Sequence, residues 1–378
     1  MPTRDTPADL PPVSPFSPGE RGRLAWGALL FLLAFVACAS GIRTRALQGL
    51  PWSALGGLGD KLALLERQKE RIDLIFLGTS RINQGVDPAV FDLALAEGGL
   101  PGVRSFNLGV EHLNPVEALW TLERIAEMKP PRLRWIVTEL PVSRYQALWE
   151  NRHALRYRAL ITLDALPRYL EDIRRQPILL RHRLVDGALF AAAVVYDRSA
   201  IGLLSRRLFP LASEALELNR PMPRQEELGQ GFYYDYMAGR LPPAGMAPEK
   251  AETWAAQAVA QIDTWKAAYA PRNGRGHFAR LRPLLEGIRE KGYQPVLISV
   301  PSVVSYAISQ PVTEETRRAL PDVPVFDFND PRRYPAFYQG KHLFGASHLN
   351  AAGAALFSRL LAESLRPLLT PTPPPVHD

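Results

Sequence analysis

The stretch Asp73-Leu74-Ile75-Phe76-Leu77-Gly78-Thr79-Ser80-Arg81 decides the fold of this chain. An apolar run of strand length that stops at a Gly-Thr-Ser turn has the form of a strand buried on both faces of a parallel sheet. Ser80 then falls just beyond the carboxyl end of that strand, where open parallel sheets hold their ligands. Near the other end of the chain stands Gly345-Ala346-Ser347-His348-Leu349-Asn350-Ala351-Ala352-Gly353, which puts a histidine immediately before the last helix. A serine hydroxyl is a weak nucleophile until an imidazole takes its proton, and the two need meet only in space. The pair predicts one site, with Ser80 as nucleophile and His348 as base. Each motif alone has a plainer reading, a strand-loop Ser and a helix-capping His. Their joint placement in an α/β chain favours the site.

Outward from Ser80 the same pattern repeats. Short apolar runs ending at loops predict strands at Asp73–Gly78, Val103–Leu108, Arg134–Leu140, Pro295–Val300 and Val323–Phe328. Helices are expected at Leu55–Arg71, Pro88–Ala96, Pro115–Met128, Phe278–Lys291 and Asn350–Leu365. Such alternation implies an α/β fold, a flavodoxin-like parallel sheet with helices on both faces and right-handed crossovers. Ser80, Gly109 and Glu139 all fall just past strand ends.

The sheet domain is expected in two parts, residues 55–142 and 274–366. Residues 143–273 between them far exceed an ordinary connection and read as a helical cap insertion. Its first half, through Leu155, Leu160, Leu166, Tyr169 and Ile173, has helical spacing with Arg on the other face. Ala188 to Tyr196 is apolar but too short to span a membrane. Its second half holds Tyr233, Tyr234, Tyr236, Trp254 and Trp265, which suit core packing or stacking on sugar rings. Residues 367–378 form a short Pro-rich tail.

These residues resemble the SGNH (GDSL-like) hydrolase superfamily, especially membrane-anchored bacterial members related to polysaccharide O-acetyltransferases and D-alanyl-transfer proteins. The resemblance covers about residues 72–114 and 294–365 and not the insertion. Gly78-Thr79-Ser80-Arg81 is similar to the nucleophile block. Asn107-Leu108-Gly109 is similar to the second block, whose Gly gives a backbone N–H to the oxyanion. His348-Leu349-Asn350 with Gly353 is similar to the last block, whose His is the base. The resemblance implies acyl-ester chemistry, with oxyanion donors each worth about 3 kcal/mol of barrier.

The chain departs from that pattern twice. The family has an acid three residues before its His, where this chain has Gly345. The third block supplies an Asn, where this chain reads Thr138-Glu139-Leu140-Pro141. A Ser–His dyad remains workable if a carbonyl or another acid fixes the imidazole, because the third member mainly sets tautomer and orientation. Glu139, Asp327 and Asp330 are candidate orienting acids, each with a solvated or cap-paired role as its alternative. Asn114 is a candidate oxyanion donor, or else the N-cap before Pro115. His342 and Glu111-His112 lie near the expected site.

Residues 1–23, rich in Pro, Asp, Thr and Ser, read as a disordered tail. Residues 24–42 are uncharged, and about twenty apolar residues suffice to cross a bilayer as a helix, so the segment is expected to be a transmembrane signal anchor. A cleaved signal peptide ending at Ala37-Cys38-Ala39 is the second reading, disfavoured by the long tail before it. Arg21 and Arg23 balance Arg43 and Arg45, so charge gives no orientation. The resemblance, together with the single span, implies the inner (cytoplasmic) membrane with the soluble part in the periplasm or outside the cell.

The net charge of +7 is scattered along the chain rather than concentrated, which argues against nucleic acid as a partner. Neither a phosphate loop nor metal-ligand spacing is present among the seven histidines, so no cofactor and no metal are expected. The single cysteine, Cys38, leaves the soluble part without disulfide or thiolate chemistry.

Two functions follow. The first is a membrane-anchored serine esterase or O-acyltransferase acting on acyl esters of an envelope polysaccharide. The second is a catalytically impaired scaffold that binds glycan or the polysaccharide biosynthesis and export machinery.

Overall fold

The computed structural model describes residues 17–47, 55, 57–139, 156, 160, 166–175, 180–199, 230, 253, 256–257, 260, 271–303, 306–344 and 348–370. Leu140–Arg144, Gly345, the aromatic residues 233–236, Trp254, Trp265 and residues 371–378 of the Pro-rich tail lie outside them; residues 367–369, expected in that tail, instead end the last helix, which carries Pro367 within it.

The first element is helix α1, Pro18–Leu47. Its window Gly19–Ile42 has 24 residues at a mean hydropathy of 2.1, long and apolar enough to cross a membrane. Trp26 and Phe31 are 66% and 73% exposed, so this is no buried core helix. Helix begins six residues before the expected span, which corrects the disordered reading for residues 18–23. The cause is a capping box: Glu20 accepts the Ser17 N–H at 2.8 Å, and Ser17 Oγ accepts the Glu20 N–H at 3.3 Å.

The body is a five-stranded parallel sheet in the order β2-β1-β3-β4-β5. The strands are β1 (Leu74–Gly78), β2 (Ser105–Gly109), β3 (Trp135–Glu139), β4 (Gln294–Ser299) and β5 (Val325–Asp327). All five coincide with expected strands to within two residues at either end. This is the doubly wound order whose switch point falls between β1 and β3. Register along β1 sets Leu74 opposite Ser105 and Trp135, and Gly78 opposite Gly109.

Side chains alternate across β1, and two cores result. Ile75 and Leu77 point to one face, covered by α2 (Gly57–Gln68), α5 (Pro115–Met128), α8 (Pro271–Glu290) and α9 (Tyr306–Ala319). Leu74 and Phe76 point to the other, covered by α3 (Ser80–Gly85), α4 (Pro88–Glu97) and α10 (Ala351–Leu369). On that second face Phe357 of α10 meets Phe328 and Phe337 edge-on at 5.3 and 5.7 Å. Helix α9 was not expected, because Pro311 inside it reads as a breaker.

Within the insertion the described elements are helical: α6 (Leu166–Arg175) and α7 (Leu180–Arg198). Tyr169, Ile173 and Phe190 from this pair pack on Val116 in the first turn of α5. The buried Arg156 forks onto Glu117 at 3.0 and 3.1 Å. Gln230 covers the outer edge of β2, its carbonyl accepting the Asn107 N–H at 2.8 Å and its amide bonding Asp92 and the Ser105 carbonyl. That edge of the sheet is thereby covered at Ser105 and Asn107. Burial pushes Asp92 up to about 6, against its bonds from Ser105 and Gln230.

Candidate functional site

Strand β1 ends at Gly78 and the chain turns at once into α3. Thr79 caps that helix, its Oγ1 accepting the Arg81 N–H at 3.3 Å, so Ser80 opens the helix with its hydroxyl at the carboxyl edge of the sheet. The turn is held from β3. Glu139, 2% exposed, accepts the Thr79 N–H on Oε1. Its Oε2 lies 3.1 Å from Arg81 Nε, outside hydrogen-bond geometry, so that contact is an ion pair.

His348 arrives from the opposite end of the chain on a short antiparallel pair, β6 (Leu343–Phe344) with β7 (His348–Leu349). Asn350 locks this hairpin to α10. Its N–H donates to the His342 carbonyl at 3.0 Å, its amide donates to the Lys341 carbonyl at 2.8 Å, and its Oδ1 caps the Gly353 N–H at 3.0 Å. Gly353 must be glycine, because a Cβ there would sit 2.2 Å from the His342 carbonyl oxygen.

Ser80 Oγ and His348 Nε2 meet at 2.7 Å. Burial of the imidazole, with the Arg81 guanidinium and His112 nearby, pushes His348 down to about 4. The ring is therefore neutral at physiological pH, the form in which Nε2 can accept the serine proton. A neutral ring that accepts on Nε2 carries its own proton on Nδ1.

The other expected site residues are placed as follows. Gly109 sits at the end of β2, but its N–H donates to Asn107 Oδ1 at 2.8 Å, so it is spent within the strand end rather than aimed at an oxyanion. Its lack of a side chain serves packing: a Cβ would lie 2.2 Å from the Asn83 nitrogen of α3. Asn114 is the N-cap of α5 in a full capping box, accepting the Val116 and Glu117 N–H groups at 3.0 Å. Glu139 holds the Thr79–Ser80 turn and Arg81, as above. Asp327 Oδ1 accepts the Asn329 N–H at 3.1 Å, and Asp330 Oδ1 accepts the Arg332 N–H at 2.9 Å in a local turn. His342 Nδ1 lies 2.6 Å from the Ala336 carbonyl, bracing the hairpin.

Lys61 was missed by sequence reasoning. It projects from α2 to lie only 1% exposed beneath α3, the helix that Ser80 opens. Its Nζ contacts Asn83 Oδ1 at 2.6 Å, the Gly109 carbonyl at 2.8 Å and Asn107 Oδ1 at 3.3 Å. Three acceptors match the three donors of an ammonium, yet burial pushes the group down to about 7, with the Glu111 carboxylate opposing. Asn83 continues the chain of bonds to Glu111 at 2.8 Å, and Asn107 Nδ2 ties the Ile82 carbonyl of α3 and the Val86 carbonyl at its C-cap at 2.8 and 2.7 Å. The only sequence signal was a lysine lying among Leu58, Leu62 and Leu65 on the apolar side of its helix. His112, next in line after Glu111, adopts a left-handed φ of 53°, a sparsely populated conformation for a side chain of its size.

Among the described residues no group of three His, Cys, Asp or Glu could hold a metal ion. Compared with known families and with curated proteins, the chain matches no family model and no curated protein.

Proposed function

We propose that this chain is a membrane-anchored serine esterase or O-acyltransferase of the SGNH type, acting on acyl esters of an envelope polysaccharide. The observation that carries the reading is the 2.7 Å contact between Ser80 Oγ and a neutral His348 Nε2 at the carboxyl edge of a parallel sheet. In this reaction His348 takes the Ser80 proton as Oγ attacks the ester carbonyl. The imidazolium returns that proton to the departing alkoxide, leaving an acyl-serine. His348 then deprotonates water or a sugar hydroxyl, which attacks the acyl carbon, and hands that proton to Ser80 Oγ as the acyl-serine bond breaks. The Ser80 N–H, first of α3 and so without an intrahelical acceptor, points the oxyanion to this turn. The buried Arg81 adds positive charge beside it. The anchor α1 would hold the enzyme on the inner membrane with its body in the periplasm or outside the cell.

The scaffold reading is favoured by one observation, the commitment of the Gly109 N–H to Asn107. Turnover of a simple acyl ester by the full-length protein in detergent separates the two. The enzyme reading expects Ser80→Ala to lose several orders of magnitude, as nucleophile removal does elsewhere. Equal, background turnover in both proteins would support the scaffold.

A further inference from the structure

Helix α7 buries two aspartates and turns aliphatic side chains outward. Its buried positions are Asp186, Phe190, Ala193 and Asp197, one per turn along a single face. The face turned outward carries Leu184, Ala188, Ala191 and Val195, with Leu184 65% and Val195 66% exposed. A helix on a water-soluble surface does the reverse, hiding its apolar stripe and displaying its charges. Aspartates inside and aliphatic side chains outside are what contact with lipid favours.

Two neighbouring features name the same partner. Helix α7 packs against α1, the helix that is apolar enough to cross a membrane, so the outward aliphatic face continues an existing apolar surface. Arginines gather where α6 leads into α7: Arg174, 71% exposed and paired with Glu171, and Arg181, exposed in the first turn of α7. Arginines at the rim of an apolar face suit lipid phosphates. With Arg181, Arg183, Asp186, Asp197 and Arg198 on its 19 residues, α7 is too polar to span a bilayer by itself.

We propose that α7 lies along the bilayer surface beside the anchor, with its Leu184–Val195 face in the acyl boundary and its arginines among the headgroups. The partner is the lipid bilayer itself. Because Phe190 packs with Tyr169 and Ile173 onto Val116, this contact is coupled to the first turn of α5, at the sheet edge that carries the site. Contact of α7 with lipid is independent of the proposed reaction.

Site-directed spin labelling of the full-length chain tests it. Cys38→Ser provides the background, and single cysteines replace Leu184, Ala191 or Val195, with Ala96→Cys on the far side of the sheet as the aqueous control. Proteins are reconstituted in vesicles of phosphatidylethanolamine and phosphatidylglycerol, and only variants that melt with the parent are read; Ala188→Cys replaces any that does not. Labels at 184, 191 and 195 should be several-fold more accessible to oxygen, and several-fold less accessible to a water-soluble nickel chelate, than the label at 96. Nickel accessibility equal to that at 96 would place the face in water and overturn the proposal. Shielding from both reagents would also overturn it, by showing the face covered with protein, whether from this chain or a second copy.

Discussion

Ser80 Oγ and His348 Nε2 are separated by 268 residues of chain and by 2.7 Å of space. Ser80 stands just past the carboxyl end of β1, and His348 stands on a hairpin pinned to α10 by Asn350 and Gly353. Two independently braced elements thus bring a hydroxyl to an imidazole held neutral by burial. That arrangement sets the behaviour expected of the protein with pH and substitution.

The pH dependence follows from His348. Its ordinary value near 6.5 is depressed to about 4, so the base form persists well into acid. Ester kcat/KM should therefore stay level from about pH 6 upward and fall only as pH approaches about 4. The sign for stability is the same: between about 4 and 6.5 the unfolded chain binds the extra proton, so stability contributed by the neutral ring is lost as pH falls through that window. An acid limb at about 6.5 in kcat/KM would contradict the buried geometry.

Removing Glu139 should loosen the nucleophile turn. Glu139→Ala leaves the Thr79 N–H and the 8% exposed Arg81 without their shared carboxylate. Breaking a buried pair in this way costs about 3–5 kcal/mol, and Glu139→Gln, which keeps an acceptor, should cost clearly less. Melting in detergent measures both. Equal melting of Glu139→Ala and the parent would show that the turn is held by something else.

Adding one methyl at Gly109 should separate the reacting pair. A Cβ there meets the Asn83 nitrogen at 2.2 Å, so α3 must move and carry Ser80 with it. Overpacking of this kind costs about 1–3 kcal/mol. A displacement of about 1 Å at a reacting atom costs about 100-fold in rate. Gly109→Ala should thus lose about 100-fold in kcat with a modest drop in melting temperature. Parent-like turnover would show that the close approach is not needed.

Much of this was legible in the sequence, for identifiable reasons. The five strands were found because each is a short apolar run broken by a loop. Helix α5 was found to the residue because Asn114-Pro115 marks its start chemically. The Ser80–His348 pair was legible because both motifs sit at chain reversals of an α/β pattern. What the sequence hid are features set by packing alone. Pro311 masked α9, and the two-residue strands β6 and β7 are too short for any periodicity. Glu139 has the sequence signature of any strand-end acid, and only the fold turns it towards Thr79. Gly109 has the sequence signature of an oxyanion donor, but Asn107 accepts its N–H.

Lys61 gives a prediction that no sequence pattern suggested. Its ordinary value near 10.4 is lowered to about 7, so between those values the unfolded chain binds more protons and stability rises with pH. Lys61→Met abolishes this dependence and strands the acceptors on Asn83, Asn107 and Gly109, at a cost of about 3 kcal/mol near pH 7. The stability gap between parent and variant should widen from about pH 7 to about pH 10. A gap that stays constant would mean the lysine titrates as it does in water.

The central claim is that Ser80 is a nucleophile activated by His348, and covalent labelling with a fluorophosphonate tests it most directly. The full-length protein in detergent at neutral pH should take up one equivalent of phosphonate, located on Ser80 by peptide mass, and His348→Ala should slow the labelling by orders of magnitude. Labelling of Ser80→Ala at the parent's rate, or no adduct on Ser80 in the parent, would contradict the account.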